Sequence, residues 1–280
     1  MPASHSLEEK GVTLETKLIT STTKMSARQK IRLTILFIMV ITFPIIMNYF
    51  SVFLIIEGSS KGIMTFSFFF WTAWILTALY LGRAACGYIC PLGAFQEVKD
   101  KMVPKKLSKI RYLKSSKYVL AIFWVGAIVY FAIAAGGYKT INLLYNTESG
   151  VSIDKAEAWF TYGIIVLVIL LPAFFIGRRG FCHYFCPWGV LNTVSTKIKG
   201  FFRWPSLHLE PVKDKCKQCH TCIANCPMSL PVAEMVKAGS MKNDECILCG
   251  TCVDNCPNKA VKYSWGRPPK SPLPSDLKND

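Results

Sequence analysis

Histidine is nearly missing from this chain. Its four copies, His5, His183, His208 and His220, all lie outside the long apolar runs. A haem clasped between two helix histidines is thereby excluded as a carrier within those runs. Acidic side chains are also few: 17 Asp and Glu face 33 Lys and Arg, a net charge of +16. Outside the cysteine runs described below there is no C-x-x-C-H haem-attachment site, and there is no Ser/Thr-Gly-Ala-Thr flavin-attachment site. No haem and no flavin are expected. No apolar stretch interrupts the first 27 residues, so no cleavable secretory signal is expected there. Residues 1–30 are expected to form a polar cytoplasmic tail, and the proline-rich 266–280 a disordered one.

What abounds is apolar sequence, 51% of the chain, gathered into four runs almost free of charge: 31–56 (with Arg32 at its edge), 62–81, 118–135 and 159–176. Each is long enough to cross a hydrocarbon core of ~30 Å as a helix. A soluble domain with four such helices would lack the polar surface to cover them. Pro44 and Pro172 predict kinks in the first and fourth runs.

The positive charge follows these runs. Residues 82–117 carry nine Lys and Arg against Glu97 and Asp100, and Arg178, Arg179, Lys197, Lys199 and Arg203 follow the fourth run. The alternate loops, 57–61 and 136–158, hold only Lys61, Lys139 and Lys155, with Glu57, Glu148, Asp154 and Glu157. By the positive-inside rule both termini and the middle loop face the cytoplasm of a multi-pass protein in the cytoplasmic membrane. Anionic lipid accounts for the basicity, and no nucleic-acid partner is needed.

Twelve cysteines form two kinds of repeat. Arg83-x2-Cys86-x-Tyr88-x-Cys90-Pro91-x-Gly93 follows the second run, and Arg179-x2-Cys182-His183-Tyr184-x-Cys186-Pro187-x-Gly189 follows the fourth. Each opens an amphipathic stretch expected to lie on the inner leaflet, with Phe95, Val98 and Met102 apolar in the first. The fold class expected is a mainly α membrane protein, four transmembrane helices arranged as two repeated helix pairs over 31–207. Three readings stay open for Cys86, Cys90, Cys182 and Cys186: a third cluster, a reactive dithiol or metal-transfer site, or plain packing. His183 could accept a quinol proton there, or be an interfacial side chain.

The second repeat is Cys216-x2-Cys219-x2-Cys222-x3-Cys226-Pro227 and Cys246-x2-Cys249-x2-Cys252-x3-Cys256-Pro257. It is similar to the run of two-cluster bacterial ferredoxins, whose fourth thiolate serves the other run's cluster. That resemblance implies a small α+β domain over 208–265 with two [4Fe–4S] clusters, one on Cys216, Cys219, Cys222 and Cys256, the other on Cys246, Cys249, Cys252 and Cys226. Structural zinc normally uses separated pairs, and disulfides between cysteines three apart would be strained.

Taken with the four runs, both motif pairs resemble the NapH-type membrane ferredoxins over residues 31–265. The resemblance implies a quinol dehydrogenase or electron-transfer subunit, passing electrons between the quinone pool or a membrane partner and a redox protein. The alternative expectation is a metalloenzyme assembly factor whose membrane-edge cysteines act as a dithiol or hand over a metal.

Overall fold

The computed structural model describes residues 25–108, 110, 112–147, 150–153 and 156–268. Most of both expected tails, and Asp154, lie outside the described residues. Ser26 caps α1 (Ala27–Ile46), its hydroxyl accepting from the Gln29 amide. The first apolar run does not continue as one rod. Two residues past Pro44 it passes into a 3-10 turn (Met47–Phe50), and Ser51 caps a fresh helix, α2 (Val52–Ser60). The break is tolerable because its polar groups are met: the Asn48 amide donates to Ser152 Oγ, its side chain donates to the Asn146 carbonyl, and Ser67 Oγ donates to the Asn48 carbonyl.

The second run also departs from expectation. Its first residues form β1 (Ile63–Thr65), paired in parallel with β2 (Thr140–Asn142), which leaves α3 (Phe66–Leu81) at 16 residues. At 1.5 Å per residue that helix measures about 24 Å. Three helical stretches are long and apolar enough to cross a membrane: Ala27–Ser60, α6 (Ser116–Ala134) and α7 (Ala156–Phe175). Their outer faces are apolar, with Ile122 and Phe123 on α6 and Phe160 on α7 each about three-quarters exposed. Only lipid suits such faces.

The cysteine loops fold as short helices α4 (Ala84–Tyr88) and α8 (Gly180–Tyr184), followed by α5 (Pro91–Met102) and α9 (Pro187–Phe201). These amphipathic stretches are not surface helices alone, because membrane helices flank each of them. Helix α5 packs between α1 and α7, and α9 between α3 and α6. Each therefore touches the first helix of its own copy and the second helix of the other. Protein covers part of each apolar face, Phe95 on α5 and Val190 on α9, whereas Met102, Val194, Ile198, Phe201 and Phe202 stay exposed and free to meet the leaflet.

Beyond α9, β3 (Ser206–Pro211) pairs antiparallel with β4 (Val261–Gly266), framing α10 (Thr221–Ala224), α11 (Val232–Ala238) and α12 (Thr251–Asp254). Met228, Met235 and Val236, each 1% exposed, centre its core.

Candidate metal centres

All twelve cysteines line cavities, four to each. Cys216, Cys219, Cys222 and Cys256 surround one of about 20 Å³. Cys226, Cys246, Cys249 and Cys252 surround a second of about 20 Å³. Cys86, Cys90, Cys182 and Cys186 surround a third, at the end of the membrane helices, also of about 20 Å³. The near-equal volumes give the membrane-edge site the same room as the other two. Among the described residues no three Cys, His, Asp or Glu side chains converge on a point that a single ion could occupy. Thiols spread around a wall suit a polynuclear iron–sulfur group, whereas zinc draws its sulfurs to about 2.3 Å from one centre.

The two C-terminal runs reach their cavities by the same backbone path, 30 residues apart. Gln218 and Leu248 take positive φ (56° and 49°), as do His220 and Gly250 (56° and 76°). At Gly250 an added Cβ would stand 2.6 Å from Tyr263 Oη, so this turn requires glycine. His220 occupies the matching position and lines the first cavity. Hydrogen bonds to sulfur repeat at the same offset. The Leu230 and Ala260 amides donate to Cys226 and Cys256 Sγ at 3.5 and 3.2 Å. Thr221 Oγ1 lies 3.5 Å from Cys219 Sγ, and Thr251 Oγ1 lies 3.3 Å from Cys249 Sγ. Cys216-Lys-Gln-Cys219-His220 also spells C-x-x-C-H. In the fold both of its thiols belong to a four-thiol wall.

At the membrane edge, Cys90 and Cys186 stand at the N-caps of α5 and α9, with proline at the first helical position of each. Proline's fixed φ suits that place, where its missing N–H is no loss. Trp71, Trp74 and Trp188 complete the wall, with Trp71 and Trp188 stacked at 3.9 Å. The structure accounts for the arginine and glycine of the repeated motif. Each arginine reaches into the other copy. A Cβ on Gly93 would lie 2.8 Å from Arg179 Nη1, and one on Gly189 would lie 3.3 Å from Arg83 Nη2. Arg179 also donates to the Cys86 carbonyl at 2.9 Å.

Carboxylates hold both arginines. Glu97 binds Arg179 at 2.6 Å and Arg32 of α1 at 2.5 Å. Burial opposes its charge, yet these two guanidinium groups keep the Glu97 carboxyl below its ordinary range. The matching position in the second copy, 96 residues on, is Thr193. Arg83 instead meets Glu245 of the C-terminal domain at 3.0 Å, and Lys117 of α6 completes that pair. The domain thus supplies a carboxylate that the second copy lacks. These partners were missed at the level of sequence. Arg32, the one charge in a long apolar run, was the available signal.

Burial pushes the Cys186 thiol up to about 12, and lifts those of Cys90 and Cys182 as well. Burial lifts the Cys226 and Cys246 thiols of the second cavity in the same way, to about 12 and about 11. His183 lies outside the lining of this cavity. Its Nε2 is 3.2 Å from the Met228 carbonyl, and burial pulls its pKa down to about 4. Tyr88 and Tyr184 face protein: Tyr88 donates to the Cys249 carbonyl, and Tyr184 to the Ser108 carbonyl.

The C-terminal domain docks through its second run. Ile247 lines both the membrane-edge cavity and the cavity of Cys246, Cys249 and Cys252. Gly87 permits the approach, since an added Cβ would stand 2.7 Å from the Ile247 carbonyl. Gly87→Ala is expected to weaken this docking by about 1–3 kcal/mol through overpacking. Faster amide exchange over residues 246–252, with the membrane helices unaffected, is the measurable sign.

The 4Fe-4S binding domain model matches twice, at residues 63–110 and 158–205, and the 4Fe-4S dicluster domain model matches residues 215–261. The electron-transport candidate YccM of Escherichia coli is 24% identical over 196 residues, covering 67% of this chain and 53% of that protein. An uncharacterized protein of Methanocaldococcus jannaschii, MJ0750, is 26% identical over 57% of this chain and 65% of its own length. Protein NirI of Paracoccus denitrificans is 27% identical over 57% of this chain and 23% of its own length. The chain therefore spans less than two thirds of each of these relatives. No solved structure matches.

Proposed function

We propose that this chain, an iron–sulfur electron-transport protein homologous to YccM and NirI, is a membrane relay between the quinone pool, or a membrane redox partner, and a redox protein. Cys216, Cys219, Cys222 and Cys256 hold one [4Fe–4S] cluster, and Cys246, Cys249, Cys252 and Cys226 hold a second. Cys86, Cys90, Cys182 and Cys186 hold a third at the membrane edge. The shorter α3 crosses together with the three long stretches, making four passes. The basic loops, by the positive-inside rule, support a cytoplasmic side for both termini and all three sites.

The observation that carries this reading is the set of three four-thiol cavities of nearly one size. A [4Fe–4S] group supplies one-electron transfer at a potential set by hydrogen bonds to sulfur and by exposure. The chain's part is to hold four thiols apart, to keep water from the membrane-edge wall with Trp71, Trp74 and Trp188, and to aim N–H and O–H groups at sulfur. The burial of Cys90 and Cys186 from solvent weighs against the alternative of an assembly factor with a reactive dithiol.

Iron and acid-labile sulfide in the full chain, purified without oxygen, test it. About twelve iron per chain is expected. About eight, with four thiols free to alkylating reagents, would hand the membrane-edge site to the dithiol reading.

A further inference from the structure

The three cavities differ in their access to solvent. Cys90 and Cys186 are buried at the membrane edge, and Cys226, Cys249 and Cys252 are buried in the second site, whereas Cys219 on the first cavity is exposed. The first cavity shares no lining residue with the membrane-edge one, while the second shares Ile247. The Cys219 cavity is thus the solvent end of the series.

Five lysines lie in or next to the segments that line that end. Lys217 lines the cavity, Lys215 adjoins Cys216, Lys237 follows the lining residue Val236, and Lys259 sits between the lining residues Asn258 and Ala260. Lys213 folds over the end of α11, its Nζ 2.5 Å from where a Cβ on Gly239 would stand. All five are exposed. Among the described residues none of them joins an ion pair. The acids nearby are Asp214, exposed, and Glu234, half-buried. Strand β3 starts beside the end of α3 and carries the chain roughly 20 Å from it before Lys213 is reached.

We propose that these lysines are the docking face for an acidic one-electron carrier, a small protein whose own redox group lies behind a rim of carboxylates. The inference rests on the relay reading and names the chemistry of its soluble partner. Unpaired like charges around an exposed site repel one another until an acidic surface covers them. Such a field speeds encounter and weakens with salt. One electron passes per encounter; one partner's cluster is oxidised and the other's redox group is reduced, with no bond or proton transferred.

The test uses the holoprotein in nanodiscs of neutral lipid, with an acidic ferredoxin and basic cytochrome c as probes in stopped-flow mixing. Electron transfer with the acidic probe is expected to slow at least about tenfold between low and high salt. Lys213→Glu, Lys237→Glu and Lys259→Glu together are expected to slow it a further tenfold or more and to speed transfer to cytochrome c. Iron content and the dithionite-reduced spectrum serve as the folding check. Unchanged acidic-probe rates in a fully loaded variant would overturn the proposal. So would a loss of binding to anionic vesicles as the variant's sole defect, which would make these lysines a lipid contact. Failure of quinol to reduce the wild-type clusters sinks the relay reading instead, and leaves the docking face to be judged on the ferredoxin rates.

Discussion

Replacing Glu97 by Ala should cost the membrane-edge site its architecture, with a loss of about 3–5 kcal/mol, the scale for breaking a buried ion pair by removing one partner. Arg32 and Arg179 are each only 2% exposed, and Glu97 is the carboxylate that both contact. Without it two guanidinium groups remain buried with no counter-charge. Arg179 also fixes the Cys86 carbonyl and packs on Gly93, so its displacement moves both cysteines of the first loop. The loss should appear as a lower melting temperature in detergent and as iron missing from the membrane-edge site. Glu245→Ala makes the contrast. It removes the equivalent partner of Arg83 from the C-terminal domain, so it should loosen the docking of that domain while α1, α5 and α7 stay packed. Equal stability of wild type and Glu97→Ala would show that the network is a bystander.

That network also marks where sequence reading stops. The cysteine runs are legible because ligand spacing is local: three thiols wrap one corner of a site within seven residues. The arginine and glycine of the repeated motif were visible as letters, but their use was not, since each side chain works in the other copy. Thr193 stands where the first copy has Glu97, and the missing carboxylate comes from residue 245, beyond any local pattern. The first apolar run was readable as a membrane segment. Its break at Met47–Phe50 was not, because the partners that make it tolerable come from residues 67, 146 and 152. Helical periodicity likewise gave α5 and α9 an apolar face, and lipid was the default covering. The approach of α7 to α5, and of α3 to α9, shows that protein covers part of that face, while Val194, Ile198 and Phe201 stay exposed.

Replacing Cys86 and Cys182 together by Ser is expected to lower iron from about twelve to about eight per chain. The pair is well chosen because each comes from a different copy, on α4 and α8, and both are half-buried. Cys90 and Cys186, by contrast, sit at helix starts where substitution also disturbs the cap. Serine is close in size to cysteine, so the stack of Trp71 on Trp188 and the arginine pairs should persist, and the melting temperature of the iron-free chain should change little. The clusters of the C-terminal domain should keep their spectra and still accept electrons from dithionite. Quinol-driven reduction should fail, since the membrane-edge cavity is the four-thiol one lined by membrane-helix side chains, Trp71 and Trp74, and Ile247 is the wall it shares with the second site. Three outcomes then separate the roles of these cysteines. Iron unchanged at about twelve removes them as ligands. Iron at eight with quinol reduction intact makes the third cluster a structural group off the path. Iron at eight with quinol reduction lost places the third cluster between membrane and ferredoxin domain, the position the shared Ile247 wall assigns to it.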